Sequence, residues 1–583
     1  MVAHPGAAQA HLEGVASKLD DERLMEVVEA VSASNEKAEE VRAEREAEGE
    51  DRAPSALPFT DPRAACAAKS TLDLFRSIVV FELCRVRPLV SNAEAVLVWS
   101  KRIFGSTLVN FGLRHTFYRQ FVAGGDGEEI KPTLKYLSDH GVQAILDYAA
   151  EDDVEAARQD APGGEDAAAA GAAAAADAAG AADAGGEDAL REPLASAPVS
   201  ARTYAYESEA VCDARAAVCL KAIEAAAAGD GQGFAAIKLT ALGVPRLLER
   251  ASTALVAVRG LFAAMDEDGD GLLKKSEFAG AYRKLFADAS EADIAEEFDA
   301  LDAGRDGLVD ALEFCDNLPL ADMARLASRC REEGPFSRAV LDADELRLLE
   351  NTLGRVDALA HAARDNGVRL LVDAEHAFLQ PVIDHVTARL QATYNRERAV
   401  LYNTYQCYRV DSHDRIREDM ERARRWGYKF GAKLVRGAYM VFERRHAEAL
   451  GLPSPIHATI EDTHASYDKA VQILLDGVER GDAEVMVATH NQRSVERAVK
   501  GLADRNLAPS APVYFGQLLG MADNLTFVLG ANGYGAYKYV PYGTVDEVIP
   551  YLVRRAQENS DMLGGVDKEL QLMKTELKRR LFG

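Results

Sequence analysis

Long apolar runs are missing from this chain of 583 residues. None approaches the roughly 18 residues that a membrane-crossing helix needs, so no transmembrane span is expected. Basic charge is also short, with 67 Lys and Arg against 94 Asp and Glu and a formal net charge of -27. Nucleic-acid binding needs Lys and Arg clustered against phosphate, so nucleic acid is not an expected partner. An acidic surface suits small molecules and divalent cations. The seven cysteines (Cys66, Cys84, Cys212, Cys219, Cys315, Cys330, Cys407) form no CxxC pair and no regular framework. That pattern favours a reduced intracellular protein over a disulfide scaffold. The N-terminal stretch MVAHPGAAQAHLEG lacks the apolar core of a secretory signal. It is poor in Arg and is followed by Asp20 and Asp21, acids that a mitochondrial transit peptide avoids. Hydrolytic signatures are absent as well: no Ser-His-Asp order and no H-E-x-x-H. GANGYGAY (530–537) is glycine-rich, but it falls between two strand-like runs and opens no helix. A nucleotide cofactor would have to be held without the usual glycine fingerprint.

What is present is an alternation. Residues 1–60 are polar and charged, as in EKAEEVRAEREAEGEDR, and are expected to form a solvated or disordered lead-in. Residues 61–151 should supply N-terminal helices, with STLDLFRSIVVFELC at helical spacing, and a first strand. Residues 152–199, rich in Ala, Gly and acid, have no apolar face to bury and are expected to be a low-complexity excursion. Residues 200–583 form the main body. Eight short apolar runs recur along the chain: AILDYA (144–149), FAAIKLTAL (234–242), RLLVDAE (369–375), LYNTYQCY (401–408), KLVRGAY (433–439), VMVATHN (485–491), VYFGQLLG (513–520) and GAYKYVPYG (535–543). Helical stretches separate them. Alternating strand and helix implies a parallel sheet in an α/β fold, and eight units suggest a closed (β/α)8 TIM-like barrel. An open doubly wound sheet is the alternative.

One insertion interrupts the barrel at about 255–320. DEDGDGLLKKSE places Asp266, Asp268 and Asp270 at loop positions 1, 3 and 5, Gly271 at 6, Leu272 at 7 and Glu277 at 12. A hard cation such as Ca2+ needs this oxygen set, with glycine allowing the sharp turn and a backbone carbonyl at position 7. A second loop, DAGRDGLVDALE, starts 36 residues later at Asp302, with Asp306, Gly307, Val309 and Glu313 in register. Its position 3 is Gly304, which has no side-chain ligand, so this loop should be weak or empty. The two loops read as an EF-hand pair.

Catalytic groups of such a barrel lie at the C-terminal ends of strands. The polar residues there are Lys238, Asp373, Gln406, Arg436, His490 and Tyr539, and Arg554 and Arg555 follow the last strand. Lys238, Arg554 and Arg555 could grip a small carboxylate, because guanidinium forks match its geometry. Asp373 could pair with one of these cations, and Tyr539 offers an aromatic wall with a polar tip.

YNTYQCY, FGAKLVRGAYM, VATHN, YFGQLLGM, YKYVPYG and YLVRRAQEN, preceded by FAAIKLTALG and LLVDAEHAFLQP, together resemble the proline dehydrogenase family of mitochondrial type. The likeness covers most of residues 70–150 and 200–583. It implies a distorted (β/α)8 barrel holding FAD, oxidation of L-proline to Δ1-pyrroline-5-carboxylate, and electron transfer to a quinone. It also implies a mitochondrial location on the matrix side of the inner membrane, with peripheral membrane association. By the same resemblance, Lys238, Arg554 and Arg555 would bind the proline carboxylate and Asp373 would order them. Tyr539 would pack on the pyrrolidine ring and Tyr439 would shape the pocket. Gln406, Lys433, Val435, Gly437, Thr489 and His490 would contact the flavin or its phosphates, with Ala374 and Gln517 as further contacts and Thr463 near the FAD tail. Bacterial relatives carry Arg at position 433 and an aromatic at 440, where this chain has Lys433 and Met440. The competing readings are a hydroxyproline dehydrogenase, against which Tyr539 speaks, and a calcium-binding interaction protein on an inactive barrel.

Overall fold

The computed structural model describes residues 5–16, 22–48, 56–147, 208–227, 233–287, 290–546, 548–561 and 563–583. The excursion at 152–199 lies outside the described residues. In chain order the strands are β1 (Val142–Asp147), β2 (Phe234–Ile237), β3 (Leu272–Lys274), β4 (Leu308–Asp310), β5 (Arg369–Val372), β6 (Leu401–Gln406), β7 (Phe430–Val435), β8 (Ala483–Ala488), β9 (Val513–Leu518) and β10 (Gly535–Pro541). Each of the eight apolar runs holds a strand. All but β3 and β4 join one parallel sheet in the order β1-β10-β9-β8-β7-β6-β5-β2, with β1 and β2 side by side. This is a nearly closed barrel, and the doubly wound alternative is excluded. β7 begins three residues before the expected run because Gly431 hides its start. A Cβ at Gly431 would stand 2.2 Å from the Leu401 carbonyl oxygen, so only glycine fits there.

Phe234, Tyr402, Tyr514 and Tyr537 point inward and fill the barrel, with Phe234 packed edge-on against the three tyrosines. Arg369 and Glu484 close its lower end. The Glu484 carboxylate accepts from Tyr402 Oη at 2.6 Å and from Arg369 Nε at 3.2 Å. A filled interior leaves only the upper end for a ligand.

The lead-in differs from its expectation. Helices span Pro5–Ala16 and Glu22–Glu48, and Val27, Val28 and Val31 are buried in the main core. Its most specific contact is at the barrel seam. Asn35 Nδ2 donates to Ala144 O at 3.0 Å, and Ala144 N donates to Asn35 Oδ1 at 2.7 Å. No ladder joins β1 to β2 among the described residues, so a side-chain amide satisfies the open edge of β1. The acidic composition concealed a helix with one short apolar face.

The insertion grows out of the second barrel helix, Pro245–Met265. Leu247, Leu248 and Ala251 of that helix pack in the barrel layer, whereas Val258, Phe262 and Met265 belong to the core of the insert. β3 and β4 pair antiparallel, with Leu273 opposite Val309 and both fully buried. The insert docks on the helix Ser412–Trp426 through Arg422 Nε to Asp316 at 3.0 Å, Arg425 to Asp310, and Arg259 to Glu418 at 2.7 Å.

Candidate active site

A cavity of about 900 Å³ opens at the C-terminal ends of the barrel strands. Fourteen of the fifteen proposed substrate and cofactor residues line it: Lys238, Asp373, Ala374, Gln406, Lys433, Val435, Gly437, Tyr439, Thr489, His490, Gln517, Tyr539, Arg554 and Arg555. Thr463 does not. Its hydroxyl donates to Thr459 O at 3.3 Å, and its neighbours Ile460 and His464 line the wall instead.

Strand ends place these groups. Lys238 follows β2, Asp373 follows β5, Gln406 ends β6, and Thr489 and His490 follow β8. Asp373 is the hub. It accepts from Lys433 Nζ at 2.6 Å through one oxygen and from Tyr539 Oη at 3.4 Å through the other. The Lys433 ammonium also sits 5.4 Å from the centre of the Tyr539 ring. The carboxylate therefore fixes a lysine and an aromatic wall together. Arg554 and Arg555 come from the helix Ile549–Asp561. Arg555 is buried, donates to Glu558 Oε1 at 2.6 Å and lies 4.8 Å over the Tyr551 ring.

Two amides latch neighbouring strand ends. Gln406 donates to Glu375 O at 2.9 Å and accepts from Ala438 N at 3.2 Å. Gln517 donates to Thr489 O at 3.2 Å and accepts from Thr526 Oγ1 at 2.8 Å. Gly437 turns at φ +133°, and a Cβ there would strike the Tyr408 ring at 2.5 Å, so a side chain is excluded on two counts. His490 Nε2 accepts from Leu518 N at 3.0 Å, which places the ring proton on Nδ1. Burial, with Lys538 and Arg555 nearby, pushes the His490 pKa down to about 3, so the ring stays neutral.

Three features of the site were not assigned from the sequence. Arg436, a strand-end cation without an assigned partner, donates to His464 Nδ1 at 3.0 Å, Thr489 Oγ1 at 2.6 Å and Ser494 Oγ at 2.9 Å. It also lies 4.4 Å over the Tyr467 ring. All four contacts are neutral groups, and burial lowers its pKa. Glu375, two residues after Asp373, is fully buried and accepts from Thr240 N at 3.1 Å and Thr240 Oγ1 at 2.6 Å. Burial pushes its carboxyl up to about 7, against the pull of the Thr240 hydrogen bonds. Its place at the end of β5 was a usable signal. The third feature was not legible at all. Lys69, Asp523, Lys538 and Glu569 form a buried quartet beneath the loop between β9 and the next helix. Asp523 bridges Lys69 at 2.9 Å and Lys538 at 2.8 Å. Glu569 accepts from Ala522 N and Asp523 N, both at 3.2 Å.

Fold and site together define a parallel β/α barrel with a cation-lined cavity at the C-terminal ends of its strands. The family model for proline dehydrogenase matches residues 130–568. Mitochondrial proline dehydrogenase 1 of Homo sapiens is 37% identical over 551 residues, covering 90% of each chain. Hydroxyproline dehydrogenase of Bos taurus is 31% identical, covering 90% of this chain and 94% of its own. Among solved structures, proline utilization A from Bdellovibrio bacteriovorus aligns at 15% identity with a TM-score of 0.43. That alignment covers 91% of this chain and 41% of the longer one. The chain belongs to the proline dehydrogenase family, a family of oxidoreductases.

Proposed function

We propose that this protein oxidises L-proline to Δ1-pyrroline-5-carboxylate in mitochondrial proline catabolism, with FAD held in the barrel cavity and a membrane quinone as electron acceptor. The observation that carries this reading is the convergence of Lys238, Arg554 and Arg555 with the Asp373–Lys433–Tyr539 unit on one cavity. The donor set fits FAD. Arg436, half-buried at the cavity wall and hydrogen-bonded to His464, Thr489 and Ser494, suits a phosphate, whose geometry a guanidinium fork matches. A cavity of about 900 Å³ is of the size that takes a large ligand, typically ~300–1,000 Å³.

The chain's own residues orient and select. Lys238, Arg554 and Arg555 neutralise the substrate carboxylate and set the ring's angle in the cavity. Tyr539, pinned by Asp373, packs on the pyrrolidine ring, and Tyr439 bounds the pocket. Neutral His490 adds no positive charge beside the reacting centre. FAD, when bound, supplies the hydride acceptor.

The test is the visible absorbance of the FAD-loaded protein without oxygen. L-proline is expected to bleach the bound-flavin band. A bound flavin left oxidised by proline would sink the assignment. Trans-4-hydroxyproline is expected to be the poorer substrate by about tenfold or more in kcat/KM, because a fixed Tyr539 ring leaves no room for the hydroxyl. Comparable values would favour the hydroxyproline reading.

The helix–loop–helix pair is the second part of the proposal. Ligand oxygens of Asp266, Asp268 and Asp270 lie within 4.8 Å of one another, and Gly271 turns at φ +79°. This arrangement supports Ca2+ binding in the first loop, with Leu272 O and Glu277 completing the set. Lys274 donates to Asp270 at 2.9 Å, so the ammonium is an internal competitor for the cation. In the second loop Glu313 Oε1 accepts from Gly304 N at 3.1 Å, which supports the reading of a bracing loop. Calorimetry is expected to give one Ca2+ per chain, lost in Asp266→Asn. Equal turnover with Ca2+ and with chelator, where binding is verified, would make the insert purely structural.

A further inference from the structure

An amphipathic helix of a water-soluble fold turns its apolar stripe to the core. The helix Ala93–Phe104 does the reverse. Ala95, Val98, Trp99 and Ile103 repeat at helical spacing and all are exposed. The next helix, Ser106–Leu113, has no buried residue and presents Leu108 and Phe111. Val98, Trp99, Ile103, Phe104, Leu108 and Phe111 are each more than half exposed. Gly105, at φ +79°, turns one helix into the other, so these side chains belong to one short hairpin. Scattered apolar residues on a surface are ordinary, but a concentration of this kind marks an interaction site.

Charge identifies the occupant. Between positions 85 and 119 the basic residues are Arg85, Arg87, Lys101, Arg102, Arg114 and Arg119, and the only acid is Glu94, six minus one giving +5. The whole chain carries -27. Arg85, Lys101 and Arg114 also hold acidic neighbours from outside the stretch, at Glu82, Asp546 and Glu129. Arg87 and Arg102 are exposed, and Arg102 lies within the apolar stripe itself. A second copy of the chain docked face to face would set like charges against each other. An anionic lipid surface matches both the cations and the apolar side chains, and tryptophan is favoured at that boundary. No described helix is long and apolar enough to cross a membrane, so the contact would lie in the interface.

The hairpin is tied to the catalytic end of the barrel. Lys101 Nζ reaches Asp546 at 2.7 Å, Asn110 Nδ2 reaches it at 3.3 Å, and Tyr118 Oη donates to Gly543 O at 2.6 Å. These residues belong to the segment linking β10 to the helix of Arg554 and Arg555.

We propose that the 93–113 hairpin is the membrane-docking element, inserting its apolar face into an anionic lipid surface and presenting the cavity end of the barrel to the bilayer. In purpose this rests on the reading of a membrane quinone as acceptor, but its test does not require turnover. The full chain, loaded with FAD, is floated with vesicles of phosphatidylcholine alone and of phosphatidylcholine with phosphatidylglycerol. Co-flotation is expected with the anionic vesicles and is expected to weaken with salt. Trp99 emission should shift to the blue on binding, and Trp99→Phe should abolish the shift. The double change Trp99→Ser with Phe104→Ser should lower partitioning by about tenfold or more, while proline oxidation with a soluble dye acceptor stays unchanged. Loss of dimerisation in that variant with vesicle binding intact would assign the face to a second copy. Absence of flotation by the unaltered protein on either vesicle would also overturn the proposal.

Discussion

Asp523→Asn is expected to lower the stability of the fold by about 3–5 kcal/mol, the loss typical of breaking a buried ion pair from one side. Asp523 stands between two ammonium groups, Lys69 at 2.9 Å and Lys538 at 2.8 Å, and Lys538 is wholly buried. Burial alone would raise its pKa, but Lys538 and Lys69 outweigh that and hold the carboxyl well below the usual range. The amide would leave two buried cations facing Glu569 alone. Glu569 is committed to the backbone, accepting from Ala522 N and Asp523 N where Ala522 adopts φ +52°. That loop lines the cavity, so the loss should also loosen the β9 end of the site. Because the folded pKa of Asp523 is depressed, its contribution is present above the unfolded value of about 3.9 and fades as pH falls through the folded one. Urea unfolding at neutral pH is the measurement. The pair Lys69→Met with Asp523→Asn should recover part of the loss, since it restores the charge balance. A loss below about 1 kcal/mol would show that water or rearrangement already screens the quartet.

The contrast between that quartet and the cavity explains what the sequence makes legible. Strand ends are legible because a barrel repeats: Lys238, Asp373, Gln406 and His490 occupy equivalent places in successive units, and each apolar run announces the polar residue that follows it. The insert was legible as a pair of related loops because their residue types recur at fixed spacings, and β3 and β4 of those loops pair with each other. The quartet has no such grammar. Lys69 is 454 positions before Asp523, and each reads alone as a surface charge. For a related reason, the Lys433–Asp373 pair was not singled out. Strand order makes β5 and β7 next-but-one neighbours, which puts Lys433 within 2.6 Å of Asp373. The cations proposed for the substrate carboxylate follow β2 or lie on the helix after β10. The lead-in was misjudged because composition averages over a helix. Val27, Val28, Val31 and Asn35 occupy one face of Glu22–Glu48, while Glu26, Glu29, Glu36 and Glu40 are exposed.

Arg555→Met is expected to raise the KM for L-proline by about tenfold or more, the equivalent of losing one charge-assisted fork worth on the order of 1.5–3 kcal/mol. Methionine keeps most of the volume over the Tyr551 ring and removes only the charge and its donors. Glu558, the carboxylate left behind, has 30% of its side chain exposed, so water can take over its hydrogen bond and the fold should tolerate the change. Binding and chemistry are then separable. A carboxylate grip used equally before and during reaction raises KM and leaves kcat alone, whereas a grip that sets the angle of the ring lowers kcat as well. Arg555→Lys distinguishes charge from geometry: an ammonium restores attraction but not the planar fork, so its KM should fall between the two. Spectral titration of the oxidised, flavin-loaded variant with a non-reacting proline analogue gives affinity without turnover. Unchanged affinity and unchanged KM would remove Arg555 from the substrate site and leave the carboxylate to Lys238 and Arg554.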